Sequence, residues 1–330
     1  MAVIANTFQT SSSKTNRESL SDVVSRITPE DTPIYSLISK EATNSVHPEW
    51  SVDVLAAPGD NAQAEGDEYS FDAITPPDRM GNYTQIFRKD WILSATQEAV
   101  SDAGRVLKRK EQKLKRGIEL RKDVEYSIVA ANASVAGATR KSGSLSTWLK
   151  TNASRGATGA NGGFSTGTGL TVAPTNGTQR AFDKATLDSV MQAAHQAGGN
   201  TKFCVVSPYV KSVFVGFMSN PNVATFRYNV ESGEKNSIVA NADIYEGPFG
   251  TITVLPNRVM SGSAALARNA FLIDPGLLKW AWLRKIAEDK GVAKTGDAEK
   301  GVIIGEGCLV VKNEAGLGVI SDLFGMNATT

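Results

Sequence analysis

Very little in this chain is equipped for chemistry. Only two cysteines occur, Cys204 and Cys308, and only two histidines, His47 and His195. Two cysteines without close spacing build no disulfide framework, and they point to a reducing compartment. Both sit in apolar runs, FCVV and CLVV, where a thiol packs as a small inert hydrophobe. The histidines lie far apart, one on the polar side of a strand pattern and one near a helix end, so each reads as a surface residue rather than a ligand. There is no P-loop, no Gly-x-Ser-x-Gly elbow and no His-Glu-x-x-His pair. Glu65, Asp67 and Glu68 lack the spacing and closing glutamate of an EF-hand. The glycine-rich GANGG has no strand before it or helix after it to cradle a phosphate. No apolar run reaches the roughly 18 residues of a membrane span. The N-terminal MAVIANTFQTSSSK has no basic region followed by an apolar core, so a secretory signal is not expected. No catalytic residue, metal, cofactor or membrane partner is expected, and an enzyme ranks last among the functions weighed.

What is present is a long basic helix pattern. Residues 94–135 predict one continuous helix, opened by a capping box of Ser94 and Gln97. A stripe of Val100, Ala103, Leu107, Lys110, Leu114, Gly117, Arg121, Val124, Ile128, Ala131 and Val135 recurs at steps of three and four, which lie on one face. Lys110, Gly117 and Arg121 thin that stripe, as on a helix resting on a sheet edge or a neighbouring subunit. At about 1.5 Å per residue the helix would span roughly 60 Å, the length of a beam. Arg105, Lys108, Arg109, Lys110, Lys113, Lys115, Arg116, Arg121 and Lys122 make its middle basic, against Glu111 and Glu119 alone. A solvated helix face and a surface turned toward phosphates or acidic neighbours both fit this run. Charges interrupt the heptads, which argues against a coiled coil. The net charge of +1 gives no global attraction for nucleic acid.

The 330 residues suffice for two domains or for one with large extensions. Residues 1–45 read as an arm of two short amphipathic helices joined by a proline-rich turn, with Thr32 capping and Pro33 at the first position of the second. Residues 46–92 read as a two-stranded excursion. Val46, Pro48, Trp50, Val52 and Val54 alternate with polar residues, and a second strand piece is expected from Tyr69 to Ile74. Its tip carries Asp60, Glu65, Asp67 and Glu68, with no Lys or Arg before Arg79. Such a ribbon is marginal alone in water and calls for a partner surface. Residues 136–180, rich in Gly, Ser, Thr and Asn, predict a flexible surface insertion with a short docked helix at LSTWLK. A compact part follows, with a helix over 183–197, a strand at KFCVVS, a helix capped by Ser207, a hairpin turning at 247–250, and strands at AFLIDPG and GVIIGEGCLVVKNEAGLGVISDL. Helices and strands mixed without a regular βαβ repeat indicate an α+β fold.

Three segments, NRESLSDVVSRITPEDTPIYSLI, TQIFRKDWILSATQEAV and GTQRAFDKATLDSVMQAAHQAGGN, together with the order of the parts, resemble the major capsid proteins of tailed phages of the Hong Kong 97 (HK97) type. The resemblance covers most of the chain except the insertion around 150–180. It implies an N-arm (1–45), an extended loop lying over a neighbouring subunit (46–92) and a peripheral domain (93–200) containing the spine helix. It implies further a mainly axial domain (201–312) and a C-terminal strand and tail (313–330). The implied function is self-assembly into pentamers and hexamers of an icosahedral head, made in the host cytoplasm, around double-stranded DNA touched without sequence specificity. Portal and decoration proteins are implied partners. No long N-terminal coiled-coil scaffold precedes the arm, which implies a separate scaffolding protein or none. An encapsulin-like compartment shares the fold, and a DNA-binding protein acting through residues 105–122 is the reading from another class. Candidate intersubunit contacts are Trp50, Asp60, Glu65, Asp67 and Glu68 on the excursion and Arg105, Lys108, Arg109, Lys113 and Arg116 on the helix.

Overall fold

Two large sheets and two short two-stranded ones share the chain; one core joins the four-stranded sheet to one face of the six-stranded sheet, and a second core lies on the other face of the latter. A computed structural model describes residue 28 and residues 31–68, 71, 73–100, 108–217, 243–294 and 296–329. The order is α1 (Pro33–Leu37), β1 (Ser39–Ala42), β2 (Glu49–Val52), β3 (Asp78–Gly81), β4 (Gln85–Ser94), α2 (Ala95–Ala99), α3 (Lys108–Val129) and α4 (Leu145–Trp148). There follow β5 (Ala153–Ser154), β6 (Gly163–Ser165), β7 (Leu170–Val172), α5 (Lys184–Gln196), β8 (Phe203–Val206), α6 (Pro208–Phe217), β9 (Ile244–Gly247) and β10 (Gly250–Pro256). A 3-10 turn (Arg258–Gly262), α7 (Ala264–Ala267), β11 (Ala270–Ile273), β12 (Leu278–Asp289), β13 (Ala298–Val311) and β14 (Gly318–Ile320) complete it.

The four-stranded sheet runs β1-β12-β13-β4 and the six-stranded sheet β5-β14-β11-β8-β10-β9. β4 shows why the first has two different faces. Phe87 and Trp91 are buried, whereas Ile86, Arg88 and Ile92 alternate with them on the exposed side. The buried side carries α3, whose Leu120, Val124 and Ile128 join Trp280, Trp282 and Leu309 in one core. The six-stranded sheet packs Leu187, Val190 and Met191 of α5 and Val210 and Phe214 of α6 into a second core. The mixture of helices with these two sheets is the expected α+β class.

The long helix is shorter than its pattern suggests. Ser94 does cap α2, accepting the Gln97 amide at 3.1 Å, but α2 ends at Val100 in an extended conformation. Residues 101–107, which include Arg105, Ala103 and Leu107, lie outside the described residues. α3 then runs for 22 residues, about 33 Å. It stops at Val129 because Ser134 engages the insertion instead, exchanging hydrogen bonds with Thr171 at 2.7 and 2.8 Å. The apolar face is also shifted. Leu120, Val124, Ile128 and Val129 are buried, whereas Leu114 is 64% exposed. Only the C-terminal half of α3 lies over the core, so among the described residues nothing buries the leucine at 114.

Residues 136–180 are folded rather than a free loop. β6 and β7 form a hairpin, and Phe164 stacks on Trp148 of α4 at 5.3 Å with the rings 5° apart. Glycine serves close backbone approach here, since a Cβ at Gly156 or Gly177 would fall 2.0 or 2.6 Å from a carbonyl oxygen of the facing segment. The buried Asp322 ties those two segments together, accepting from the Gly156 and Gly177 amides at 3.1 and 2.9 Å. In the excursion, the pairing is β2 with β3. The described residues of the expected 69–74 strand, Phe71 and Ile74 among them, make no strand and stand exposed.

Candidate assembly surface

The excursion is held hard at its root and free at its tip. Asn82 is fully buried. Its amide donates to the Leu309 carbonyl at 2.7 Å, and its carbonyl accepts the Gly143 amide at 2.8 Å. Beside it the Thr84 amide donates to the Val46 carbonyl at 2.9 Å, and the Thr84 hydroxyl to Glu306 at 2.9 Å. His47 stacks on Tyr83 at 4.2 Å. Trp50 is half-buried and meets Trp148 at 5.5 Å, so much of its face is spent inside the subunit.

Glu306 is the electrostatic centre of that root. Its side chain is 4% exposed and meets Arg140 and Arg284, each at 2.8 Å. Burial pushes its carboxyl up, but the bonds from Arg140, Thr84 and Arg284 outweigh that and hold it below the ordinary value. Further out on the ribbon, Arg79 pairs with Glu49 and lowers that carboxyl too.

Beyond Val52 the chain makes few contacts. Val54 is 85% exposed, Leu55 93%, Phe71 92% and Ile74 96%. Among the described residues, Asp60, Glu65, Asp67 and Glu68 form no ion pair, and all four are exposed. Four bulky apolar side chains on an unpaired extended segment are unusual for a surface that stays in water.

The basic helix is partly matched inside the subunit. Lys108 is buried and donates to the carbonyls of Gln97 and Val100, securing α2 to α3. Arg109 pairs with Glu299 and lies 3.7 Å from Glu98. Lys113 meets Glu288 at 2.9 Å and Arg116 meets Glu119 at 2.6 Å. Among the described residues no acid pairs with Lys110, Lys115, Arg121 or Lys122. The helix therefore offers a narrower cationic surface than its sequence suggests, and the uncovered Leu114 lies among those residues.

Two carboxylates that organise the subunit, Glu125 and Glu306, stood out neither by motif nor by spacing. The one sequence signal for Glu125 is its position between Val124 and Ile128 on the buried side of α3. The thiols of Cys204 and Cys308 are pushed up to about 12 by burial. Among the described residues no group of His, Cys, Asp and Glu is placed to hold a metal ion, and no helix is long and apolar enough to cross a membrane.

Comparison with known proteins gives one consistent picture. A model of the SU10 major capsid protein family matches residues 3–324. The major capsid protein of Escherichia phage Phieco32 is 32% identical over 116 residues, which is 35% of this chain and 33% of that protein's length. Among solved structures, the cyanophage A-1(L) capsid subunit superposes with a TM-score of 0.63 at 13% identity, covering 94% of this chain and 97% of its own. A chain from Gordonia phage Cozz gives 0.59 at 12% identity with 98% of both chains covered. The capsid of the native GTA particle gives 0.59 at 14% identity, covering 93% and 94%.

Proposed function

The chain belongs to the SU10 major capsid protein family of tailed phages and has the Hong Kong 97-type fold, and on that premise we propose that it assembles as pentamers and hexamers into an icosahedral head around double-stranded DNA. In this reading the four-stranded sheet with α3 is the peripheral domain and the six-stranded sheet the axial domain, which moves β12 and β13 out of the mainly axial 201–312 and β4 out of the extended loop 46–92 expected from the sequence. Assembly takes place in the host cytoplasm, with portal, scaffolding and decoration proteins as further partners. No residue acts as a catalyst.

The observation that carries the reading is the excursion. Its root is anchored by Asn82, Thr84 and Glu306, while Val54, Leu55, Phe71 and Ile74 stay almost fully exposed. Among the described residues nothing covers these side chains, and a neighbouring subunit that did so would gain about 25 cal/mol per Å² of apolar surface removed from water. The acidic tip and the unmatched Lys110, Lys115, Arg121 and Lys122 of a neighbour have opposite charge. Arg105, with Asp60, Glu65, Asp67, Glu68 and Trp50, belongs to the same proposed contact set. Each exposed ion pair contributes only about 0–1 kcal/mol, but the contact recurs at every subunit of a shell. The excursion is thus an intersubunit clamp, dispensable for folding and needed for stable particles.

Replacing residues 56–75 with a short Gly-Ser turn tests this, because β2 and β3 remain paired. The expected product is a soluble, cooperatively melting subunit that forms no stable shells in electron micrographs. Shells as robust as the parent's refute the clamp. Parent particles purified from infected cells should contain nuclease-protected double-stranded DNA; particles holding a protein cargo instead would favour the compartment reading.

A further inference from the structure

α3 is pinned to the four-stranded sheet at two places. Towards its end Asp123 meets Lys89 of β4 at 2.7 Å. At its start Lys108 donates to the carbonyls of Gln97 and Val100, and Arg109 pairs with Glu299 of β13. Between the two pins a cavity of about 520 Å³, open to solvent, separates the helix from β4 and β13. Trp91, Leu93 and Val292 give it an apolar wall, and Gln112, Arg116 and Lys300 a polar one. Asp90 is the one acid among the described residues that line it. Two donors in this lining have no acceptor. One is the indole N–H of the buried Trp91, and the other is the Nε–H of Arg116, whose Nη1 donates to Glu119 at 2.6 Å. An apolar cavity of about 150 Å³ already admits benzene, so this one has room for an aromatic side chain.

The same chain carries a side chain of that kind with nowhere to go. Phe71 is 92% exposed, the most exposed aromatic among the described residues. It stands on the excursion, four residues after Asp67 and three after Glu68, both exposed and without an ion pair among the described residues. An aromatic ring led in by two acids is complementary to an apolar wall beside Arg116 and Lys300. Burial of the ring against Trp91 adds an aromatic pair. In its own subunit Phe71 lies in solvent, so the ring that fills the cavity comes from a second copy.

We infer that the cavity between α3 and β4 is the socket for Phe71 of a neighbouring copy, with Asp67 and Glu68 of that copy meeting Arg116 and Lys300 at its rim. Phe71 is thus the anchor of the excursion, and Trp91 and Gln112 form the seat. The socket also explains how one excursion can serve both sides of the helix. Glu65 precedes Phe71 by six residues, an extended reach of roughly 20 Å. A helix is about 10–12 Å across, so a chain anchored in the socket can carry its acids over α3 to Lys110 and Lys115.

This inference rests on the shell reading, and the test separates the two. Both native cysteines are buried, so a short bismaleimide reports on introduced thiols. Full-length chains carrying F71C alone and Q112C alone, co-assembled into particles, should give a crosslinked dimer with one chain of each kind, and particles of either variant by itself should give none. Particles of parent size that yield no such dimer overturn the inference and leave the shell reading intact. With F71C and Q112C on one polypeptide, a monomer-sized crosslinked product overturns it too, because Phe71 then fills its own subunit's cavity. If the cysteine chains do not assemble, a double-mutant cycle decides. F71A removes the anchor and Q112W fills the socket. Each should raise the subunit concentration at which shells form by at least about tenfold, with the subunit's own melting unchanged. F71A/Q112W should assemble no worse than the poorer single variant, and losses that multiply overturn the inference. A parent that forms no particles under any condition refutes the shell reading and this inference with it.

Discussion

Trp91 lies directly against Gly301. The two face each other across the β4–β13 ladder, and a Cβ at position 301 would fall 2.3–2.5 Å from the indole atoms Cε2, Cζ2 and Nε1. The arrangement repeats along β13. A Cβ at Gly305 would meet Trp282 at 3.1 Å, and one at Gly307 would meet Trp280 at 2.6 Å. Three glycines on one side of a strand make room for three tryptophans, which then present a thick apolar layer to α1 and α3. Gly301→Ala should force the 8%-exposed indole of Trp91 out of its seat and cost about 1–3 kcal/mol, the usual range for overpacking. Gly117→Ala is the natural contrast, because nothing lies within 4 Å of a Cβ there. It should stabilise α3 by up to about 1 kcal/mol. Urea unfolding of the two variants checks both signs, and a neutral Gly301→Ala would show that the indole can move aside.

Leu114 and Leu120 lie on the same helix and have opposite fates. Leu120→Ala removes a fully buried side chain and should cost about 2–5 kcal/mol. Leu114→Glu exchanges a 64%-exposed side chain and should leave the subunit's melting within about 0.5 kcal/mol. If the clamp covers Leu114, the same variant should assemble poorly while melting normally. A large loss of subunit stability in Leu114→Glu would restore the apolar stripe read from its sequence.

That contrast marks what could be read from the sequence. Positions in and beside short apolar runs were legible: Cys204 in β8, Phe271 in β11, Ser94 as a helix cap, and the turn at 247–250 all stand where the pattern places them. The helical period was legible over the C-terminal half of α3, where Val124 and Ile128 of the stripe are buried, but one helix over 94–135 was not borne out, and the phase around Leu114 was not legible. Phase depends on which half of the helix another element covers, and the covering strands, β12 and β13, lie at the other end of the chain. The glycine-rich stretch misled for a related reason. Gly156 and Gly177 are small so that backbones can touch, and a sequence does not distinguish that from flexibility. Among the candidate contacts, the exposed acids were visible as charge without local partners. The internal matching of Arg109 by Glu299 and of Lys113 by Glu288 required the fold.

Phe164→Ala tests whether the insertion is part of the core. Its ring stacks on the buried Trp148 and belongs to the same cluster as Trp280. Truncation should cost about 3 kcal/mol, and hydrogen exchange should rise across β6 and β7 together because the hairpin loses its main apolar contact. Unchanged stability would mean that the hairpin is a passive surface feature.

Glu306 gives the subunit a defined acid limit. Its carboxyl is held below the ordinary value of 4.5 despite burial, through Arg140, Thr84 and Arg284. A group lowered in the folded state contributes stability that is complete above its unfolded value and is lost as pH falls through the folded one. The root of the excursion should therefore weaken only below about pH 4.5, and hydrogen exchange at Thr84 should report it. Glu306→Gln removes the charge and keeps one acceptor, leaving the guanidinium groups of Arg140 and Arg284 without their shared carboxylate. At neutral pH it should cost about 3 kcal/mol, the lower end for breaking a buried ion pair, because Arg284 is half exposed. Below pH 4 the parent and the variant should converge, since the parent is then losing the same charge. Melting curves from pH 3 to pH 8 on both proteins test this, and parallel curves across the whole range would show that Glu306 carries none of the acid sensitivity.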